Sequence, residues 1–534
     1  MARFFEFADW GGSQGELADL AYGSAAMPRG AIDAEGGSEQ MQTTGKRQRF
    51  IRRLGMAAAV CALATFSSGF AASGAQSGRP PNFLVILADD LGAKELACYG
   101  NPEHRTPNLD NLAQGGVMFQ TCFATPLCHP TRFEIMTGQY GCHNGIYNFS
   151  GKRGGPEPGA PQENIAHHFT FAQLLKPVGY ATALVGKWQL SGSQPTLIHE
   201  AGFDEYCAWG YRNYFAGEEL EKTIRDKVDY RSRYWRPSVI QNGKYAPTTV
   251  NDYGPDMHAD FLIDFMKRKQ GQPFFIYHTM CLVHGPWVPT PDSVRSDEEK
   301  FKAGKENLQA DIEYMDKLVG RIVKALDDLG LRDNTIVFFT GDNGTGGDGK
   351  AEGTEKGARV PLIVNCPGLV KARGPVDDLA DLSDIVPTLA ELAGAELPKD
   401  RPIDGRSIAP VLRGAQGTRD WSFSYIADRR ILRDKRWLLE DNSFLSPGRF
   451  FDCGDSRNGA GYKDVTDSKD PEALAARARF EKILESLPSP KIETPGAPNE
   501  AKPGEKKEKK TVTKAEKGKG ETADRSAERK RANR

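Results

Sequence analysis

The sequence predicts an α/β fold: a large mixed, mostly parallel sheet flanked by helices, followed by a smaller C-terminal α+β subdomain. Three observations carry that expectation. From Pro81 onward, apolar runs of strand length alternate with stretches of helical periodicity, the pattern of helices layered on a parallel sheet. The polar clusters of the chain fall directly after apolar runs, and open α/β sheets bind ligands beyond the carboxyl ends of their strands. After Gly414 the character changes to short strands and one charged helix.

Taken in order, Asn82–Ala88 (NFLVILA) is a continuous apolar run ending at Asp89 and Asp90, as expected of a strand buried on both faces. Residues 171–176 suit a helix, and 181–185 the next strand. Residues 274–277 and 335–340 (TIVFFT) are further strands. Between them, Ile312, Met315, Val319, Ile322, Val323 and Leu326 recur at helical spacing and predict a helix over 308–329. Beyond 414, Ser422–Ile426, 430–433 and 437–440 read as strands and 471–487 as a helix. No internal repeat is visible. The expected division is 1–75 as an N-terminal extension with an export signal, 76–414 as the main domain, 415–488 as the small subdomain and 489–534 as a disordered basic tail.

At 534 residues the chain can bury a large core, and 39% hydrophobic and 26% charged residues are ordinary for a soluble globular protein. The net charge of -1 hides an asymmetry. Residues 491–534 hold 14 Lys and Arg against 8 Asp and Glu, so the rest of the chain is acidic. That tail has no Phe, Trp or Tyr and cannot offset the entropy of folding. No nucleic-acid partner is expected. Near the N-terminus, Lys46, Arg47, Arg49, Arg52 and Arg53 precede an apolar stretch over 54–66 and then Ala71, Ala72 and Ala75. This is the order of a signal peptide, and the stretch is shorter than the roughly 20 residues of a membrane span. Arg52-Arg53 is compatible with a twin-arginine route, and Met41 offers an alternative start. The protein is therefore expected to be exported, to a periplasm or outside the cell. Cys61 leaves with the signal, and the other eight cysteines show no CxxC pair or metal-finger spacing.

Five pieces carry chemistry, scattered from Asp89 to Pro361. Asp89-Asp90 ends a strand, and adjacent carboxylates there suit a hard cation such as calcium or magnesium. In Cys128-His129-Pro130-Thr131-Arg132, running on to Met136-Thr137-Gly138, Pro130 suits the first position of a helix and Gly138 its end. Cys128 then lies at the positive end of that helix, with Arg132 about one turn on. Gly186-Lys187-Trp188-Gln189 places a cation after the next strand. His284-Gly285-Pro286 follows the strand at 274–277. Gly341-Asp342-Asn343-Gly344 follows 335–340, with Lys350 and Glu355 to Pro361 (EKGARVP) behind it. Each piece alone has a bland reading: a helix cap, a buried cysteine, a hydrogen-bonded histidine, a turn.

Together, the order DD, CxPTR…TG, GKW, HxP, GDNG, KxxxxE and RVP resembles the type I sulfatases of the alkaline phosphatase superfamily. The similarity extends through LSDIVPTLAELAG at 382–394 and Asp404-Gly405-Arg406-Ser407, covering roughly residues 81–440. CxPxR is its most specific element, the signal by which the family's cysteine is oxidised to formylglycine. The resemblance implies a formylglycine nucleophile made from Cys128 by a formylglycine-generating enzyme. It also implies a calcium ion held by Asp89, Asp90, Asp342, Asn343 and the oxygen of modified Cys128. Arg132 would hold the formylglycine hydrate, Lys187 and Lys350 would bind sulfate oxygens, and His284 would bind or protonate the leaving oxygen. One hydroxyl of the hydrate would attack sulfur, and loss of the proton from the other would expel sulfate. The implied substrate is a sulfate monoester, on a small molecule or a glycan.

One position departs from the family. Gln189 stands where GKWH has a His that is thought to take the proton in the elimination step, and Gln has no titratable group. Gln189 is left to orient a hydroxyl or water near the substrate, and His129 and His143 are both candidate bases. Two rival functions stand beside the first. One is a phosphodiester or phosphonate monoester hydrolase on the same fold; the other is a non-catalytic binder of sulfated glycans, for which Gln189 is the support. Between the GKW and HxP pieces, Tyr206, Trp209, Tyr211, Tyr214 and Phe215 precede Tyr230, Arg231, Arg233, Tyr234, Trp235 and Arg236. Tyr206 and Trp209 read as core, whereas core and substrate contact both stay open for the 230–236 run.

Overall fold

The computed structural model of the protein describes residues 79–190, 197–210 and 232–490. The N-terminal extension at 1–75, with its expected export signal, lies outside the described residues. So do residues 491–534 of the basic tail, and Tyr211, Tyr214, Phe215, Tyr230 and Arg231. No helix among the described residues is long and apolar enough to cross a membrane.

Ten strands build the main sheet: β1 (Asn82–Ala88), β2 (Val117–Phe123), β3 (Ala181–Gly186), β4 (Glu205–Trp209), β5 (Val239–Gln241), β6 (Lys244–Tyr245), β7 (Phe274–Thr279), β8 (Thr335–Gly341), β9 (Leu362–Asn365) and β10 (Gly374–Asp381). Their order is β10-β2-β9-β8-β1-β7-β3-β4-β5-β6. The centre, β8-β1-β7-β3-β4, is parallel. β9 runs antiparallel between β8 and β2, so β2 points the same way as the centre. The carboxyl ends of β1, β2, β3, β7 and β8 therefore meet at one edge. Every strand that precedes one of the five motifs ends there.

The longer helices are α1 (Pro107–Gln114), α2 (Cys128–Thr137), α3 (Gly254–Arg268), α4 (Leu308–Asp328), α5 (Ile385–Ala393) and α6 (Pro471–Glu485). β1 shows why the sheet needs two layers of them. Phe83, Val85 and Leu87 pack into a core with residues of α2 and α5, while Leu84, Ile86 and Ala88 pack into a second core with α1, α3 and α4. In α4 Val323 is half-buried, and the other residues at helical spacing, Ile312, Met315, Val319, Ile322 and Leu326, are buried. Each buried one contributes about 1.5–3 kcal/mol relative to an exposed position.

The smaller sheet is antiparallel: β11 (Ser422–Ile426), β12 (Arg429–Arg433), β13 (Trp437–Asn442), β14 (Arg449–Asp452) and β15 (Lys463–Asp464), in sequence order. Phe423, Leu432, Leu439 and Phe450 pack with Phe480 and Leu484 of α6, and the Trp437 and Phe450 rings stack at 5.5 Å. α6 starts where Asp470 accepts from the Glu472 and Ala473 amides, with Pro471 at its first position. The two sheets meet through the loop after Lys350: Glu440 accepts from the Glu355 amide at 2.7 Å.

One helix boundary differs from the expectation. α2 begins at Cys128, with Leu127 before it, and Pro130 is its third residue. The first-turn amides of a helix have no intrahelical acceptor, so a proline anywhere in that turn removes no bond. Gly138 closes α2 in the left-handed conformation, φ 70°. The eight described cysteines are unpaired thiols.

Candidate active site

The strand ends lock to one another through the backbone. The Asp89 amide donates to the Leu282 carbonyl (2.8 Å), the Asp342 amide to Ala88 (3.0 Å) and the Lys187 amide to Thr279 (2.7 Å). Gly186 (φ 109°) makes the last contact possible, because a Cβ there would lie 1.9 Å from the Thr279 carbonyl oxygen. Asp90 also turns left-handed (φ 59°), a conformation Asp tolerates better than most residues. Its amide donates to Asp342 Oδ1 at 2.9 Å.

These turns bring the sequence-predicted residues into one buried cluster. Lys187 Nζ donates to both oxygens of Asp89, at 2.7 and 2.8 Å. Arg132 Nη2 donates to Asp342 Oδ2 at 2.7 Å and approaches Asp89 Oδ1 at 3.5 Å, while Nη1 donates to the Lys187 carbonyl at 3.1 Å. Asn343 Nδ2 donates to Asp90 Oδ1 at 2.9 Å. Lys350 Nζ donates to Asp90 Oδ2 at 2.8 Å and to His284 Nε2 at 3.1 Å. The His284 Nδ1–H takes the Gly285 carbonyl at 2.6 Å, which leaves Nε2 as the acceptor. Tyr234 holds that loop from behind, its hydroxyl donating to the carbonyls of Cys281 (2.9 Å) and His284. The sequence named Tyr234 only as part of an aromatic run, and nothing in the run signals this role.

Cys128, 1% exposed, opens α2 within this field. Burial pushes its thiol up, and Lys187 and Lys350 pull it back down. Burial likewise pushes the Asp89 carboxyl up, but Lys187, His284, Arg132 and Lys350 outweigh it and hold the group well below the usual range. Asp342 goes the other way: burial and then the Asp89 charge push it up, to about 7, against Arg132 and Lys187. Its charge is thus incompletely compensated by the side chains. Two further observations fit a hard cation at this place. Oxygens of Asp89 and Asp90 and a ring nitrogen of His284 lie within 4.8 Å of one another. Asn343 Oδ1 is buried without a hydrogen-bond partner among the described residues.

A family model described as Sulfatase matches residues 81–395, which contain every residue of this cluster. The chain belongs to the sulfatase family. It is an enzyme of that family, a hydrolase of sulfuric esters. It is 32% identical over 448 residues to the steryl-sulfatase of Mus musculus, covering 67% of this chain and 69% of that protein. It is 32% identical over 391 residues to the N-acetylgalactosamine-6-sulfatase of Canis lupus familiaris, covering 68% and 71%. Its fold superimposes on a crystal structure of Ps i-CgsB in complex with k-i-k-neocarrahexaose with a TM-score of 0.61 and 25% identity, over 76% of this chain and 93% of that one.

In this sulfatase the residues around Gln189 are less completely satisfied. Gln189 has φ 50°, and its Oε1 is buried without a partner among the described residues. The His129 Nδ1–H donates to the Gln189 carbonyl at 3.1 Å, and its Nε2 has no partner among the described residues. His129 stacks on Phe149 at 5.0 Å, and burial pulls its ring down to about 4. His143 faces elsewhere: its Nδ1–H donates to Asp404 Oδ2 at 2.9 Å. Of the two candidate bases, only His129 touches the GKWQ segment.

The run after residue 230 divides. Tyr206 and Trp209 are buried, as expected. Tyr234 and Trp235 are buried too, which overturns substrate contact for Trp235: its indole N–H donates to the Pro289 carbonyl at 2.6 Å and its ring packs on Tyr253. An alternation of aromatic and charged residues does not reveal which of them turns inward. Arg233, in the same run, reaches the site, with Nη1 3.8 Å from Asp89 Oδ2.

Proposed function

We propose that this sulfatase hydrolyses sulfate monoesters of a carbohydrate, with a formylglycine made from Cys128 at a calcium site. The observation that carries the reading is the buried convergence of Asp89, Asp90, Asp342 and Asn343 with Lys187, Lys350 and Arg132 around the start of α2. Calcium held by the three carboxylates, Asn343 and the modified side chain would supply the positive charge that polarises the sulfate. Formylglycine would supply the nucleophilic hydroxyl that a buried, protonated thiol cannot. Lys187 and Lys350 bind the sulfate oxygens and neutralise the charge that grows on them. His284, its Nδ1–H held by the Gly285 carbonyl, accepts at Nε2 from Lys350, and a proton taken there from the Lys350 ammonium is the one it passes to the leaving oxygen. Arg132 keeps Asp89 and Asp342 apart and oriented. Gln189 orients a hydroxyl or water.

The carbohydrate substrate is supported by the relative named N-acetylgalactosamine-6-sulfatase and by the fold's likeness to a structure in complex with k-i-k-neocarrahexaose. The same reading makes the segment over 46–75 an export signal, places the division between the two sheets near residue 414 and assigns Cys128 to a formylglycine-generating enzyme. The test is a screen of aryl sulfate, phosphodiester and sulfated saccharides with calcium-loaded enzyme co-expressed with that modifying enzyme. Sulfate release from the aryl ester and from at least one saccharide is expected. Faster phosphodiester turnover, or saccharide binding without release from enzyme proven to carry formylglycine, would overturn it.

A further inference from the structure

Arg233 stands apart from the paired cluster beneath it. Its guanidinium lies over the Trp209 ring, 4.2 Å from the centroid. Its Nη1 is 3.8 Å from Asp89 Oδ2, outside hydrogen-bond range, and both Asp89 oxygens already accept from Lys187. Among the described residues, Nε and Nη1 of Arg233 are buried without a hydrogen-bond partner, although the side chain keeps 13% of its surface open. A guanidinium desolvated in this way loses water without gaining acceptors. Any cation seated on Asp89 would leave Arg233 with still less to hold it. Stacking on Trp209 fixes the plane of the fork, and a fixed guanidinium fork matches two oxygens of one carboxylate or sulfate.

We propose that Arg233 is a specificity residue that binds a second anionic group of the saccharide, a carboxylate or a second sulfate, so that the preferred substrate carries two negative groups. This rests on the sulfatase reading above and adds the substrate class to it. Lys187, Lys350 and His284 take the sulfate that is cleaved, and Arg233 reads its neighbour.

The test separates this inference from that reading by using binding as well as turnover. In a Cys128→Ala background, which cleaves nothing, calorimetry compares glucosamine 6-sulfate, glucosamine 2-N,6-O-disulfate and a sulfated uronic acid. Adding Arg233→Gln should weaken the two dianionic ligands by on the order of 10- to 100-fold and the monosulfated one by about twofold at most. A loss confined to the uronate assigns the subsite to carboxylates, and a loss confined to the disulfate assigns it to sulfate. In the Cys128 enzyme the ratio of kcat/KM for dianionic over monoanionic substrates should fall by the same factor. Arg233→Lys, which keeps the charge without the fork, should recover part of it. Equal losses on all three ligands, or none, would overturn the inference. If Arg233→Gln does not fold, Arg233→Lys carries the comparison, with several-fold loss expected on the dianions alone. Wild-type enzyme that releases sulfate from no ester would sink the sulfatase reading, while the binding series would still decide Arg233.

Discussion

The floor of the site and its rim are built differently. On the floor, Asp89, Asp342, Arg132 and Lys187 are fully buried, and donors and carboxylates pair at 2.7 to 2.8 Å. On the rim, Lys350 and His284 keep about a fifth to a quarter of their side chains open, and Gln189, His129 and Arg233 hold buried atoms with no partner among the described residues. A buried charge must be matched from inside the protein, because removing one partner leaves the other unsolvated. A rim group can leave part of its capacity for substrate. The floor therefore holds charges that only one another can match, while the rim keeps capacity for ligand: in the proposed function Lys350 and His284 give it to the cleaved sulfate and Arg233 to a second anionic group.

Several variants sharpen or break that division. The largest effect belongs to the proposed nucleophile: Cys128→Ala should lower kcat by at least about 1000-fold with the melting temperature kept. Peptide mapping of active wild-type enzyme should find Cys128 oxidised, and full activity from an unmodified thiol would end the proposal. Lys350→Ala should come next, with a residual rate.

Asp342→Ala tests the floor. Arg132 loses its 2.7 Å partner, so the variant should lose about 3 kcal/mol of stability together with calcium affinity. Gln189→Ala on the rim should leave stability within about 0.5 kcal/mol. Equal destabilisation in denaturant titrations would abolish the distinction between floor and rim.

Acid should attack the support beneath the floor. His258 on α3 and His278 on β7 are 1% exposed, and burial pulls their rings down, to about 3 and about 4. The unfolded chain binds these protons near the ordinary histidine value, while the folded state refuses them until much lower pH. Stability is therefore complete above about pH 6.5 and falls as pH drops towards 4, by on the order of 1–2 kcal/mol per histidine at pH 5. His258→Leu should flatten that slope by up to one proton; an unchanged slope would show that His258 is not buried neutral.

The smallest effects concern the missing base. Because His143 is engaged by Asp404, His143→Gln should leave the pH–rate profile unchanged. His129→Gln should alter the acid limb, where a base pulled down to about 4 takes up its proton, by more than Gln189→Ala does. No change in either would leave neither histidine a part in proton transfer.

Much of the fold was legible because its strands are buried on both faces. β1, β7 and β8 read as unbroken apolar runs, and the structure lengthens the last two by only one or two residues. β2 (VMFQTCF) and β10 (GPVDDLAD) are not among the strands expected from the sequence; β10 opens on Gly and Pro and carries three aspartates, which strands disfavour. The pairing of β10 with β2, and of β2 with β9, supplies what propensity withheld.

The convergence of the candidate site was legible for a related reason. An Asp pair at a strand end, a cysteine opening a helix and a lysine after a glycine are local statements, and strand ends in a parallel sheet share one edge by topology. Partnership is not local. That Lys187 holds Asp89, that Arg132 bridges to Asp342 210 positions away, and that Tyr234 props His284 depended on which strands became neighbours. The same holds for Trp235 and Arg233, two residues apart in one run. One is turned into the core by the Pro289 carbonyl, and the other is laid over Trp209 towards the site. Residue type and order specify which groups can hold an anion and a cation. Packing alone chooses which of them face one another, because desolvation acts on the assembled neighbourhood and not on the segment.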